Sequence, residues 1–293
     1  MKQWFYRYVR MPAEGLLAEL AYAFFRILPL DLASAVGGWA ARLIGPHLGV
    51  SARARRNIHR ALPKFTDQRI DSIVRGMWDN FGRVIGEFPH LAKLRPGSGR
   101  IDVIGVEHVL AMRDDGQPGI FFSGHIANWE LMAQVAAQNG LPLDRVYRSA
   151  NNRWVDRLYR RGRGDDGGLL IPKGAPGARQ LLNSFTKGGH LGMLVDQKMN
   201  DGIAVPFFGR DAMTAPALAE LALRKSCPLV PAHVERLKGA HFRVIVEPPL
   251  ELPNSGDAAA DVRAVMVMVN QRLEAWIRAR PEQWLWMHNR WPD

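Results

Sequence analysis

From about residue 100 onward, short apolar runs alternate with amphipathic stretches, and that alternation predicts the architecture before any single residue does. Strands are expected at 101–104, 120–122, 145–147, 169–171, 191–195, 229–234 and 242–246. Helical patterns fall between most of them, at 106–113, 128–139, 152–161, 176–187 and 214–226. A final helix at 258–279 puts Val262, Val265, Met266, Val269, Leu273 and Trp276 on one stripe and stops before Pro281. Strands interleaved with helices imply an α/β fold, with a mixed, largely parallel sheet flanked by helices. Leu237-Lys238-Gly239 marks a hairpin joining the last two strands.

Before residue 100 the pattern is helical only. Residues 13–28 and 31–45 read as two amphipathic helices divided at Pro29, and 51–94 as a helical region broken at 63–67. Residues 1–12, MKQWFYRYVRMP, mix Trp4, Phe5, Tyr6 and Tyr8 with Lys2, Arg7 and Arg10, the composition of a membrane-interface anchor. Glu14, Glu19, Arg26, Asp31 and Arg42 interrupt residues 13–45, so no charge-free apolar run approaches the ~20 residues of a spanning helix. The expected organisation is 1–50 as N-terminal membrane-associating amphipathic helices and 51–293 as a single α/β domain.

Composition narrows the chemistry. A single cysteine, Cys227, excludes a disulfide framework and any cysteine-based zinc site, and no other metal-ligand spacing is evident. Cys227 enters an apolar strand and is expected to be a small buried residue. No export signal is evident, so a cytosol-facing domain is expected. The net charge of +11 is uneven: residues 1–100 hold 16 Lys and Arg against 7 Asp and Glu, the rest 23 against 21. A basic first third suits an anionic partner. Arg53, Arg55, Arg56 and Arg60 lack the neighbouring stacking aromatics or recognised module of a nucleic-acid site, and no nucleic-acid partner is expected.

The stretch GIFFSGHIANWELMAQVAAQN, residues 119–139, reads as strand, turn and helix. Asn128 is the expected N-cap and Glu130 lies in the first turn. His125 precedes the helix, so this H-x-x-x-x-E pair can meet although residues five apart on one helix point about 140° apart. A carboxylate on one ring nitrogen fixes the tautomer and leaves the other free to take a proton. The helix amino end favours an oxyanion or a phosphate. In an open α/β sheet, ligands collect at the strand carboxyl ends, where His125, Arg148 and Asp196-Gln197 converge. Arg160 to Gly168, RRGRGDDGG, is expected to be a flexible loop.

Beyond the pair, GHIANWE, Tyr147-Arg148, Asp196-Gln197, PFFG at 206–209, Thr214 and PEQWLWMH at 281–288 occur in an order that resembles the bacterial lipid A late acyltransferases, within the lysophospholipid acyltransferase superfamily. The resemblance runs from about Arg56-Asn57 to Arg290. It implies a glycerolipid acyltransferase-like sheet and a catalytic dyad of His125 and Glu130. Substrate, oxyanion or phosphate contacts fall to Arg148, Asn128, Arg161, Asp196 and Gln197. For Arg148 both phosphate and oxyanion suit a guanidinium. Asp196 is either a second carboxylate on the histidine or a brace for the loop 198–214. Phe207, Phe208 and Thr214 are either an acyl-pocket wall or a packed loop.

The implied reaction is acyl transfer from an acyl carrier protein thioester to a hydroxyl of a Kdo-bearing, tetra-acylated lipid A precursor, with no cofactor and with the oxyanion held by turn amides or Arg148. The implied place is the cytoplasmic face of the bacterial inner membrane. Acyl-CoA as donor and another glycolipid, such as a phosphatidylinositol mannoside, remain open within the same superfamily. A serine hydrolase using Ser123 is disfavoured because Phe122-Ser123-Gly124 is no G-x-S-x-G elbow. A non-enzymatic lipid- or nucleic-acid-binding protein would leave these motifs without a common explanation.

Overall fold

The computed structural model describes residues 2–147, 149–163, 166–172 and 174–291. A short helix α1 (Lys2–Phe5) and a π-helical turn lead into α2 (Met11–Ile27), α3 (Leu30–Ile44), α4 (Gly49–Ala61) and α5 (Asp67–Glu87). The α/β part then runs β1 (Ile101–Ile104), α6 (Val106–Asp114), β2 (Gly119–Ser123), α7 (Leu131–Gln138), β3 (Leu143–Tyr147), α8 (Arg153–Arg163), β4 (Leu170–Pro172), α9 (Ala175–Thr186) and β5 (His190–Leu194). A hairpin of β6 (Ile203–Phe207) and β7 (Arg210–Thr214) comes next, then α10 (Ala217–Lys225), β8 (Leu229–Lys238), β9 (His241–Val246) and α11 (Ala258–Ala279).

Seven strands form one sheet in the order β1-β9-β8-β2-β5-β3-β4. Every neighbouring pair is parallel except β8 and β9, which the expected hairpin at Gly239 makes antiparallel. β2 is wholly buried, as a central strand covered on both faces must be. The two-stranded β6–β7 sheet departs from expectation, since 198–214 reads as a loop. Its turn, Phe208-Gly209, has φ of 52° and 71°, the left-handed pair of a two-residue hairpin turn. Asn usually supplies the first position; Phe208 holds it because its N–H donates to Glu274 at 2.6 Å and its ring lies under Arg278.

The N-terminal helices pack against the rest of the chain. α3 crosses α5 at Gly37 and Gly82, where a Cβ on Gly37 would sit 2.3 Å from the Gly82 carbonyl oxygen, so the backbones touch. α2 lies along α8, with Asn152 donating to the Met11 carbonyl at 2.7 Å. Their outward faces stay apolar: Leu16, Leu17, Leu20, Phe24 and Ile27 on α2, and Leu32, Trp39 and Leu43 on α3. Among the described residues no helix is long and apolar enough to cross a membrane.

Candidate active site

The sheet register builds the centre of the site. β2 and β5 are parallel neighbours with Ser123 opposite Leu194, so two residues past both strand ends His125 stands beside Asp196. Nδ1 of His125 lies 2.7 Å from Oδ1 of Asp196, and the His125 backbone N–H donates to Oδ2 at 2.8 Å. The Trp284 indole N–H donates to the same Oδ2 at 2.8 Å. Gly124 permits this approach, because a Cβ there would come within 3.3 Å of that oxygen and 3.0 Å of Leu273. Burial pushes the Asp196 carboxyl up, but the charge and hydrogen bond of His125, with His288 beyond, outweigh it and hold the group well below the usual carboxylate range. An ionised carboxylate only accepts, so Nδ1 must carry the ring proton. Nε2 is therefore the basic nitrogen. With 15% of the imidazole side chain exposed, a substrate can reach it.

The turn that carries His125 is held from two sides. Ala127 is left-handed at φ 49°, a conformation that costs a non-glycine residue about 1 kcal/mol or more. The C-terminal tail compensates: Ala127 N–H donates to the Gln283 carbonyl at 2.9 Å, Leu285 N–H to the His125 carbonyl at 3.2 Å, and Ile126 bridges Trp284. From the other side Asn80 donates to the Ala127 carbonyl at 3.1 Å, and Asn128 to the buried Glu87 at 2.9 Å. Glu87 is itself paired with Arg236, whose Nε donates to Asn80 at 2.8 Å. A closed polar network thus joins α5, β8 and the tail to the turn. The rings of Trp129 and His288 flank the imidazole at 5.1 and 5.0 Å.

Glu130 does not orient His125. Its oxygens accept from Arg163 at 2.7 and 2.8 Å, from the Tyr159 hydroxyl at 3.0 Å and from the Trp129 indole at 3.0 Å. Burial raises the Glu130 carboxyl, and Arg163, Arg145 and Tyr159 overcome that and leave it lowered and ionised. Helix α7 begins only at Leu131, with Glu130 in the cap position and Asn128 turned inward, so neither is the N-cap or first-turn residue that the pattern predicts. Arg163 is the reason α8 continues into the expected flexible stretch: its buried guanidinium closes the ion pair. The Tyr159–Arg163 spacing of four was the helical signal in a segment whose glycines read as loop.

The sequence family described as bacterial lipid A biosynthesis acyltransferase matches residues 3–293. The chain belongs to this family. It is an O-acyltransferase, and it is 24% identical to the phosphatidylinositol mannoside acyltransferase of Mycolicibacterium smegmatis over 96% of its own length and 94% of that protein. It is 25% identical to the lipid A biosynthesis acyltransferase of Haemophilus influenzae, covering 80% of this chain and 73% of the relative. The lipid A biosynthesis myristoyltransferase of Escherichia coli is also 25% identical, over 82% and 75%.

The other expected site residues of this acyltransferase divide. Arg148 lies outside the described residues. Gln197 comes directly after Asp196, half-buried at the same strand end. Arg161 is exposed on α8 and pairs with Glu19 at 2.6 Å. Phe207, Phe208 and Thr214 are buried in the β6–β7 hairpin among Trp284, Trp286 and Trp291, and Arg290 donates to Thr214 at 2.9 Å. A cleft of about 900 Å³ beside Cys227 and Pro228 opens at the amino end of β8, opposite the strand ends that carry His125. Cys227 is buried, and burial pushes its thiol up to about 11, which suits a packed residue rather than a nucleophile.

Proposed function

We propose that this acyltransferase moves a fatty acyl chain from an acyl carrier protein thioester to a hydroxyl of an anionic lipid A precursor, with His125 as general base and Asp196 as its positioning residue. The single observation that supports this reading is the 2.7 Å contact of Asp196 with Nδ1, which leaves Nε2 basic. Nε2 takes the proton of the acceptor hydroxyl as its oxygen bonds to the thioester carbonyl carbon. When the tetrahedral intermediate collapses, the C–S bond breaks and the thiolate takes the proton back from the imidazolium. The backbone N–H groups of His125, Ile126 and Ala127 are already bonded to Asp196, Gly124 and Gln283. Oxyanion stabilisation is therefore assigned to the amino end of α7 or to Arg148 rather than to those turn amides. The apolar faces of α2 and α3 rest on the cytoplasmic face of the inner membrane, where such an acceptor resides.

A phosphatidylinositol mannoside acceptor with acyl-CoA as donor is the second reading, favoured by the 94% coverage of the mycobacterial relative. Mass spectrometry of both acceptors, each offered carrier-protein and CoA thioesters, separates the two. The expected result is a gain of one acyl chain on the lipid A precursor, lost by a factor of about 10² or more in His125→Ala. Transfer that persists in His125→Ala would overturn the general-base role, and transfer only to the mannoside would move the acceptor to the second reading.

A further inference from the structure

Helix α8 carries a charge pattern that the site does not use. Arg153, Arg157 and Arg160 fall at i, i+4 and i+7, on one stripe of the helix, and all three are exposed. Among the described residues none pairs with an acid. Arg161 is spent on Glu19, and Asp156 accepts from the backbone N–H of Ala150. Like charges one turn apart disfavour an isolated helix, so the stripe does nothing for the stability of α8. It walls an open cleft of about 630 Å³ that Ser149, Asn151, Asp156 and Arg161 also line; Ser149 and Asn151 add hydroxyl and amide donors to the guanidinium forks, and the Asp156 carboxylate is held by the Ala150 N–H. Trp154 lies between Arg153 and Arg157 at 5.2 and 5.4 Å and orients both by stacking.

The position of the cleft is the second observation. One turn beyond Arg160, α8 ends in Arg163, which is bonded to Glu130, whose neighbour Trp129 touches the His125 ring. At 1.5 Å per residue, Arg160 and Arg153 lie about 5 and about 15 Å along the axis from that point, the scale of one sugar ring to a disaccharide head. On its other flank α8 packs along α2, whose outward face is the apolar row Leu16, Leu17, Leu20, Phe24 and Ile27.

Resting on the acyl-transfer reading above, we propose that this α8 cleft is a subsite for a phosphate group on the sugar head of the acceptor glycolipid. It holds the head beside Trp129 while the acyl chains lie toward the α2 face. An open cleft flanked by three guanidinium forks with hydroxyl and amide donors beside them suits a multi-oxygen anion such as a phosphate.

The test uses the full-length protein, Arg153→Gln/Arg157→Gln/Arg160→Gln and the matching triple Lys variant, with a bisphosphorylated acylated glucosamine disaccharide and the same lipid stripped of phosphate. The Gln variant should raise KM for the phosphorylated acceptor about tenfold or more with kcat held, leave the stripped acceptor unchanged, and be partly rescued by Lys. Equal loss on both acceptors would overturn the subsite in favour of carrier-protein docking, and no loss on either would overturn it outright. Co-sedimentation with phosphatidylcholine vesicles carrying each lipid reads the cleft even if no acyl transfer occurs, so failure of the reaction and failure of the subsite are distinguishable. Binding of the wild type should depend on the phosphate and fall about tenfold in the Gln variant. An equal fall on vesicles carrying phosphatidic acid instead would assign the arginines to bulk anionic lipid and refute an acceptor subsite.

Discussion

Two buried carboxylates lie close to the turn that carries His125, and they face opposite kinds of partner. Asp196 faces a histidine, Glu130 an arginine. A histidine can give up and regain a proton near neutral pH, so the acid beside it fixes a tautomer and, in the proposed reaction, steadies the charge that forms on the ring. An arginine does not, so the acid beside it is neutralised permanently and becomes a strut. The spacing H-x-x-x-x-E makes Glu130 the expected partner. The fold gives that place to the residue that is 71 positions away in sequence and adjacent in the sheet.

The sharpest way to break the comparison is Asp196→Asn. Oδ2 accepts two N–H donors, so an asparagine would keep its oxygen there and turn its amide toward Nδ1. The ring would then carry its proton on Nε2 and cease to be a base. The expected loss is about 10³-fold in kcat with KM little changed, and the acid limb of the kcat profile should shift or vanish. A loss confined to KM would show that Asp196 only shapes the binding surface.

Glu130→Gln should act on folding instead. Leaving the Arg163 guanidinium buried without its anion costs about 3–5 kcal/mol, measured as a lower denaturation midpoint, while the folded fraction keeps kcat within about tenfold. The double variant Glu130→Gln/Arg163→Met should recover part of the stability. A kcat loss in Glu130→Gln as deep as that of Asp196→Asn would erase the distinction between the two acids.

The smallest effect asks the same question of an imidazole. His233 is buried against Trp276 at 4.5 Å, and burial pushes its pKa down from 6.5 to about 4, with Arg280 adding to the effect against the opposing pull of Glu235. Because the folded value is the lower one, the stability it carries is complete above about 6.5 and is lost as pH falls from there toward 4. The total is up to roughly 3 kcal/mol. His233→Phe should flatten that part of the stability–pH curve relative to the parent protein. An unchanged slope would mean that the ring takes its proton without unfolding.

Much of the fold was legible because it is a local matter. The alternation of apolar runs and amphipathic stretches marks β1, β2, β5, β8, β9 and α11 closely, since strand and helix periods are properties of neighbouring residues. Two readings failed for want of a local signal. The β6–β7 hairpin hides behind Phe208 at a position where asparagine would announce the turn, and behind Pro206 within a strand that pairs on one side only. The last turn of α8 hides behind Gly162 and Gly164, although Arg163 is among the most buried charges in the molecule.

The sequence alone determined the class of the fold and the family, and it marked His125 as the expected base, because that residue stands in a motif read within seven residues. Only tertiary structure decided which acid serves it. The partner of a buried side chain is set by sheet register and by the charges that converge on it from elsewhere in the chain. Ser123 opposite Leu194 put Asp196 on Nδ1, and Arg163 with Tyr159 drew Glu130 away.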